Sequence, residues 1–281
     1  MWGSRLQLAS LSLAALLIVA LTFGATTGSS GQSSRKRNEE ASRQNALLLR
    51  DLNWTFGSKP QRGWYLYVPL IKKLIKTKDD PSSPGFAAAV ARWQEKSGRG
   101  ASGVLDDQTL YAMIGAWQSA RVKDRSVAQP GQLLTAPITD FYDPTRAEEL
   151  RQVERRTYDA YKQLVAAAVA DRSLGLARTK KNELAANEKF LKIISAFRSP
   201  AYQEKLRKES PNSGTAGLAV NSPHFTGRAL DLYVGGDPVD TQDSNRKLQV
   251  ETRVYQWLVQ NAERFGFRPY CYEPWHWEFV R

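Results

Sequence analysis

Ser222-Pro-His224-Phe-Thr-Gly227-Arg-Ala229-Leu-Asp231-Leu-Tyr-Val234, together with Tyr272-Glu273-Pro-Trp-His276-Trp-Glu278-Phe279, carries the pattern from which the fold is read. Between Arg228 and Val234 the residues Leu230, Leu232 and Val234 alternate with Ala229, Asp231 and Tyr233, the period of a half-buried strand. Asp231 is therefore expected on the face opposite the leucines. In the second stretch Trp275, Trp277 and Phe279 share one face, which places His276 and Glu278 on the other. His224 lies seven residues before Asp231, an odd separation that a continuous strand would send to the opposite face. Gly227 permits a bend between them, so a loop-to-strand turn is expected to bring the two side chains together.

His224 and His276 are the only two histidines in the chain, and each sits in a segment that also supplies a carboxylate. Taken singly, each reads as an ordinary loop or core histidine. Taken together with Asp231 they form a set that binds zinc and leaves a fourth position open for water, with a nearby glutamate free to act as base. Glu273 would face the tryptophan side on an unbroken strand, but Pro274 places the strand start after it, and in a turn Glu273 could reach over the metal. Glu278 shares the His276 face and is the rival base; its plainer alternative is a solvated carboxylate at the rim. The single cysteine, Cys271, cannot form an internal disulfide, and as a nucleophile it would leave the Asp231 and Glu273/His276 arrangement unexplained.

These two blocks, read as SxHxxGxAxD (Ser222, His224, Gly227, Ala229, Asp231) and ExxH (Glu273, His276), resemble the zinc D-Ala-D-Ala carboxypeptidases of the VanY type. The Ser195-Ala-Phe-Arg198-Ser199 stretch, with Gln203 downstream, resembles the segment preceding the metal site in that family, and the resemblance extends from about Ile138 to the C-terminus. It implies that His224, Asp231 and His276 hold one zinc ion and that Glu273 is the general base. It also implies that Arg198 contacts the substrate carbonyl or carboxylate, with Ser222 and Gln203 as further substrate-side residues. For Arg198 a structural pairing with an acidic neighbour is the alternative. Arg228 reads as a surface or outer ion-pair residue.

The 281-residue chain has room for two modest domains. Residues 1–31, with an apolar run from Leu6 to Phe23, are expected to be a signal peptide or N-terminal membrane anchor. The basic Arg35-Lys36-Arg37 cluster beyond the run favours cleavage, and no cysteine follows closely enough for a lipid anchor. Residues 32–50 read as a polar linker, 51–120 as a small all-helical domain, 121–137 as a second linker, and 138–281 as the part carrying the decisive stretches. Phe86 to Leu110 resembles half of a peptidoglycan-binding domain of the three-helix type, with Asp106 as a helix N-cap. Helical stripes are expected over Leu150–Val165 and Asn245–Phe265, the latter burying Leu248 and ending at Gly266, and a strand over Phe190–Phe197. Helices and strands mix without a βαβ rhythm, so the fold class is α+β, a small antiparallel sheet with flanking helices.

The formal net charge of +12 admits nucleic acid as a partner, but an exported protein rarely meets it and no nucleic-acid motif is present. Anionic cell-wall polymers fit better. The expectation is an exported zinc peptidase, in the periplasm or cell wall, trimming the terminal D-Ala-D-Ala of peptidoglycan stem peptides, with any membrane attachment confined to the N-terminal segment. An endopeptidase of the same fold, cutting L-Ala-D-Glu or a cross-bridge, and a non-catalytic stem-peptide-binding protein are the alternatives.

Overall fold

The computed structural model describes residues 27–210 and 219–281. The apolar run Leu6–Phe23, expected as the leader, lies outside them. Among the described residues no helix is long and apolar enough to cross a membrane. The architecture is α+β. Its centre is a four-stranded antiparallel sheet of β5 (Ile193–Ser195), β6 (Ala229–Leu232), β7 (Phe267–Pro269) and β8 (His276–Phe279), in the order β5-β6-β8-β7. The register sets Asp231 opposite His276, Ala229 opposite Glu278 and Ser195 opposite Asp231. Residues directly opposite in such a ladder project to the same face. Leu230, Leu232 and Trp277 take the other face and are buried in the core, where the Trp277 ring meets Tyr255 at 6.3 Å.

Before the sheet come α1 (Thr27–Asp51), the hairpin β1 (Asn53–Phe56) and β2 (Lys59–Arg62), then α2 (Val68–Ile75), α3 (Pro84–Lys96) and α4 (Asp107–Ser119). Ser83 and Asp106 cap α3 and α4 by accepting from the amides of Phe86 and Thr109. Residues 32–50, expected as a polar linker, lie inside α1. The fully buried part of its packed face is small and polar, Ala41, Ser42 and Asn45, with Asn45 bonding the backbone of Gly103 and Leu105, while Leu48 and Leu49 pack half-buried at its C-terminal end. Over residues 32–46 a hydrophobicity pattern does not register a face of that kind. The hairpin was also unexpected in an all-helical unit; Trp54 buries its ring there and donates to the Gly63 carbonyl.

Residues 121–137, expected as a linker, are instead packed against the sheet region. Val122 is buried, the Ala128 amide bonds the Phe225 carbonyl, and β3 (Leu133–Thr135) pairs with β4 (Gln152–Glu154). Because β4 occupies the start of the expected Leu150–Val165 stripe, helix α5 spans Arg155–Ala170. The expected strand over Phe190–Phe197 is regular only in β5 and is followed by α6 (Pro200–Glu209), capped by Ser199. Asn245–Phe265 is not one helix. Thr252 ends α7 (Asp243–Glu251) and N-caps α8 (Arg253–Asn261), the axis turns there, and Leu248 is left 60% exposed rather than buried. Gly266 ends the run at φ +85° as expected.

The helical and sheet parts share one hydrophobic core. Phe56 stacks on Tyr272 at 4.9 Å, Lys73 donates to the Gln260 carbonyl, and Arg246 of α7 reaches Gln61, Asp243 and the Tyr272 carbonyl. Arg246 is almost wholly buried and holds the turn that carries Glu273 against the helical part. Arg246→Ala is expected to lower unfolding stability by about 2–3 kcal/mol, since it strips the buried Tyr272 carbonyl of a donor and removes a large buried side chain. Urea unfolding of both proteins would measure it, and an unchanged midpoint would refute the assignment.

Candidate metal centre

His224 sits on a short 3₁₀ turn, Pro223–Thr226, whose Ser222 cap accepts from the His224 amide. Gly227 closes that turn at φ +64°, the bend expected from the odd spacing to Asp231. A Cβ there would lie 3.0 Å from the Glu154 backbone nitrogen and 2.9 Å from Leu133 Cδ2, so the position is closed sterically as well as conformationally. Gly227→Ala is expected to cost about 1–3 kcal/mol and to shift His224 away from Asp231. Thermal unfolding combined with metal titration would detect both effects.

The strand register delivers the other two groups. Asp231 and His276 face each other across β6 and β8, and His276 Nδ1 lies 2.9 Å from Asp231 Oδ1. His224 Nε2 lies 3.3 Å from Asp231 Oδ2. One donor atom from each of His224, Asp231 and His276 falls within 4.8 Å of the other two. A tetrahedral ion with bonds of about 2.0–2.1 Å needs ligand-to-ligand edges near 3.3 Å, and the three groups are close enough together to hold a single ion.

The hydrogen bonds outside the triangle fit the same purpose. His224 Nδ1 is 2.6 Å from the Ala196 carbonyl, which makes it the protonated nitrogen and aims the Nε2 lone pair inward. His276 Nε2 is 3.2 Å from Glu278 Oε1, which leaves Nδ1 to face Asp231. Burial, then the Arg198 charge, holds His224 down at about 4, so its ring is neutral and able to ligate. For Asp231, burial acts to raise the carboxyl, but the His224 ring and Arg198 outweigh it and keep it well below the usual range. In His276 burial is likewise overcome, here by hydrogen bonds to Asp231 and Glu278, and the imidazole rises to about 9.

Glu273 stands in the turn before β8, as Pro274 implied; its amide bonds the Tyr270 carbonyl and its own carbonyl accepts from His276. The carboxyl is buried beside the triangle, Oε2 lying 4.0 Å from His276 Nδ1, and burial pushes it up to about 8. Glu278, the rival base, is occupied. Its side chain is fully buried, with Oε1 accepting from Arg121 and His276 and Oε2 from the Val122 amide. It is neither solvated nor free to take a proton: burial would raise it, but His276 and Arg121 prevail and hold it at about 2. Burial pushes the Cys271 thiol up to about 12, so no thiolate is available.

Arg198 follows β5 and lines the cavity above the triangle, donating to Asp231 Oδ2 at 2.6 Å and to Ser195 Oγ at 2.8 Å. This is the pairing with an acidic neighbour that stood as the alternative to substrate contact. Gln203 does not line the cavity; it bonds the Ala219 carbonyl and braces the Arg198 guanidinium. Ser222 does line it, with its hydroxyl engaged by the His224 amide. Arg228 lies away from the triangle, donating to the Arg281 carbonyl over the Phe279 ring.

The cavity has a volume of about 690 Å³. Four arginines line it, Arg121, Arg125, Arg146 and Arg198, with Tyr202, Tyr270 and Trp275. Reading by sequence found only Arg198 among these cations. Arg121 and Arg125 lie in the segment taken for a linker and Arg146 in a loop, where no periodicity marks a functional side chain.

A small antiparallel sheet presents two imidazoles and a carboxylate to one side of a cavity, with a buried carboxyl beside them, and the three groups could hold a single metal ion. Residues 150–281 match the family model VanY, described as D-alanyl-D-alanine carboxypeptidase. No curated protein matches the chain. Among solved structures the chain is similar to a glutamate-to-alanine mutant of the vancomycin resistance D,D-pentapeptidase VanY from a VanB-type resistance cassette, in complex with Zn(II). That likeness has 22% identity and a TM-score of 0.31, covering 46% of this chain and 74% of the other. It is too distant to assign a role to any residue.

Proposed function

We propose that the protein is an exported zinc D-alanyl-D-alanine carboxypeptidase acting on peptidoglycan stem peptides. The observation that carries this reading is the convergence of His224, Asp231 and His276 beside the buried Glu273 carboxyl, within the residues that match the VanY family model. Those three residues would hold the ion, through His224 Nε2, His276 Nδ1 and the Asp231 carboxylate. When bound, zinc supplies a Lewis acid that polarises a carbonyl and brings the pKa of a water down to about 7. Glu273, in its ionised form, would take a proton from the attacking water and return it to the departing amine. Arg198 steadies Asp231 and presents its remaining donors to the substrate carbonyl or carboxylate, with Gln203 fixing its plane.

The arginine-lined cavity favours a peptide with a free carboxylate end and therefore the carboxypeptidase over the endopeptidase. Mass spectrometry of muropeptides after digestion tests the choice. Loss of one terminal alanine is expected; separation of stem peptide from glycan would refute it. Residues 51–120 are proposed as a peptidoglycan-binding-like unit, the basic charge as a means of retention at anionic wall polymers, and the N-terminal run as the export signal.

Metal uptake is expected to depend on pH with a definite sign. In the metal-free protein His276, at about 9, is protonated at neutral pH and must lose a proton before Nδ1 can ligate. Affinity should therefore rise with pH, about tenfold per unit while one proton is displaced, and level off above pH 9. Calorimetry in buffers of different ionisation heat would count the protons released. A flat affinity from pH 7 to 9 would contradict the assignment.

A further inference from the structure

We propose that Arg121 is a positioning residue for the metal site, acting through Glu278 on His276. The inference rests on the metal reading above and goes beyond it, because Arg121 lies outside the residues that match the VanY family model. It follows α4 and reaches across to the sheet. Its Nε and Nη2 both donate to Glu278 Oε1, at 2.9 and 2.5 Å, and the next residue, Val122, donates its amide to Oε2 at 2.9 Å. Glu278 Oε1 in turn accepts from His276 Nε2 at 3.2 Å.

Three features make this chain of bonds specific. Glu278 lies opposite Ala229 in the sheet register, and a one-carbon partner leaves the room that the guanidinium needs. Arg121 is itself anchored: Nη1 donates to Gln118 at 2.6 Å and the guanidinium lies 4.0 Å from the centre of the Tyr270 ring. Tyr270 stands edge-on to the His276 ring, so Arg121 touches two of the groups that surround that imidazole, Tyr270 and Glu278. A carboxylate behind a ligating histidine fixes which nitrogen carries the proton and how the ring points. Here the carboxylate is fully buried and would be mispositioned without a cation, and the helical part supplies that cation. The region before residue 150 thus completes the outer sphere of the site.

The test uses the full chain as wild type, Arg121→Ala, Arg121→Lys, Glu278→Gln and the Arg121→Ala/Glu278→Gln double variant. Zinc affinity is measured by competition with a chelating dye, below the melting temperature of each metal-free protein, and cobalt(II) absorption reports the ligand geometry. Arg121→Ala is expected to weaken zinc binding by about 10- to 100-fold and to change the cobalt spectrum, with partial recovery in Arg121→Lys. The double variant should bind no more weakly than Glu278→Gln alone, since Arg121 acts through Glu278. Wild-type affinity and an unaltered cobalt spectrum in Arg121→Ala would overturn the proposal, and so would additive losses in the double variant. A wild type that takes up no zinc would overturn the proposed function itself, a result distinguishable because it precedes any mutation.

Discussion

His276→Ala is expected to abolish stoichiometric metal binding and to reduce peptidase activity by a factor of about 10³ or more, to the level of the chelator-treated wild type. The size of the effect follows from how much converges on this ring. Nδ1 faces Asp231, Nε2 engages Glu278, and no third histidine exists to replace it. Removing it also leaves the fully buried Glu278 without one of its donors, so a fall in stability is expected alongside the loss of metal. His224→Ala should lose the metal in the same way. There the bond to the Ala196 carbonyl is given up and the buried Asp231 carboxylate loses a neighbour, so a fall in stability is expected as well. Metal analysis of the purified variants decides the matter, and full zinc content in either would sink the proposed ligand set.

Glu273→Gln should behave in the opposite way, keeping the metal while reducing kcat by about 10²- to 10⁴-fold. The amide preserves shape but cannot accept and return a proton. Glu273 is not in the ligand triangle, so metal content should stay at the wild-type value. Glu278→Gln provides the contrast, because that carboxylate is committed to Arg121, Val122 and His276. Its substitution should weaken metal affinity first and reduce kcat at saturating zinc far less than Glu273→Gln does. If Glu278→Gln, fully loaded with zinc, lost as much kcat as Glu273→Gln, the base would have to be reassigned.

The contrast between the two glutamates shows where the sequence was readable. Parity along β8 correctly put Glu278 on the His276 face, and on that ground it stood as a rival base. Parity says nothing about what arrives from elsewhere in the chain. Arg121 lies 157 positions away from Glu278, and its arrival turns an expected rim carboxylate into a buried structural one. Asp231 shows the same limit in milder form: its face was legible, but the face is the floor of a cavity rather than solvent. Leu248 failed because a helical stripe assumes one axis, and Thr252 breaks it.

By itself the sequence determined the sheet strands β6 and β8, the bend at Gly227, the turn at Pro274 and the candidate ligands His224, Asp231 and His276. Each of these is set within a few residues by strand period, proline geometry or glycine freedom, which are local properties of the backbone. Only the tertiary structure decided that α1 and residues 121–137 are packed parts of the molecule, that Arg198 pairs with Asp231, and that Arg121 closes around Glu278. Those outcomes depend on which distant groups become neighbours once the core forms, and in a buried, low-dielectric setting the pairing of charges is settled by that proximity.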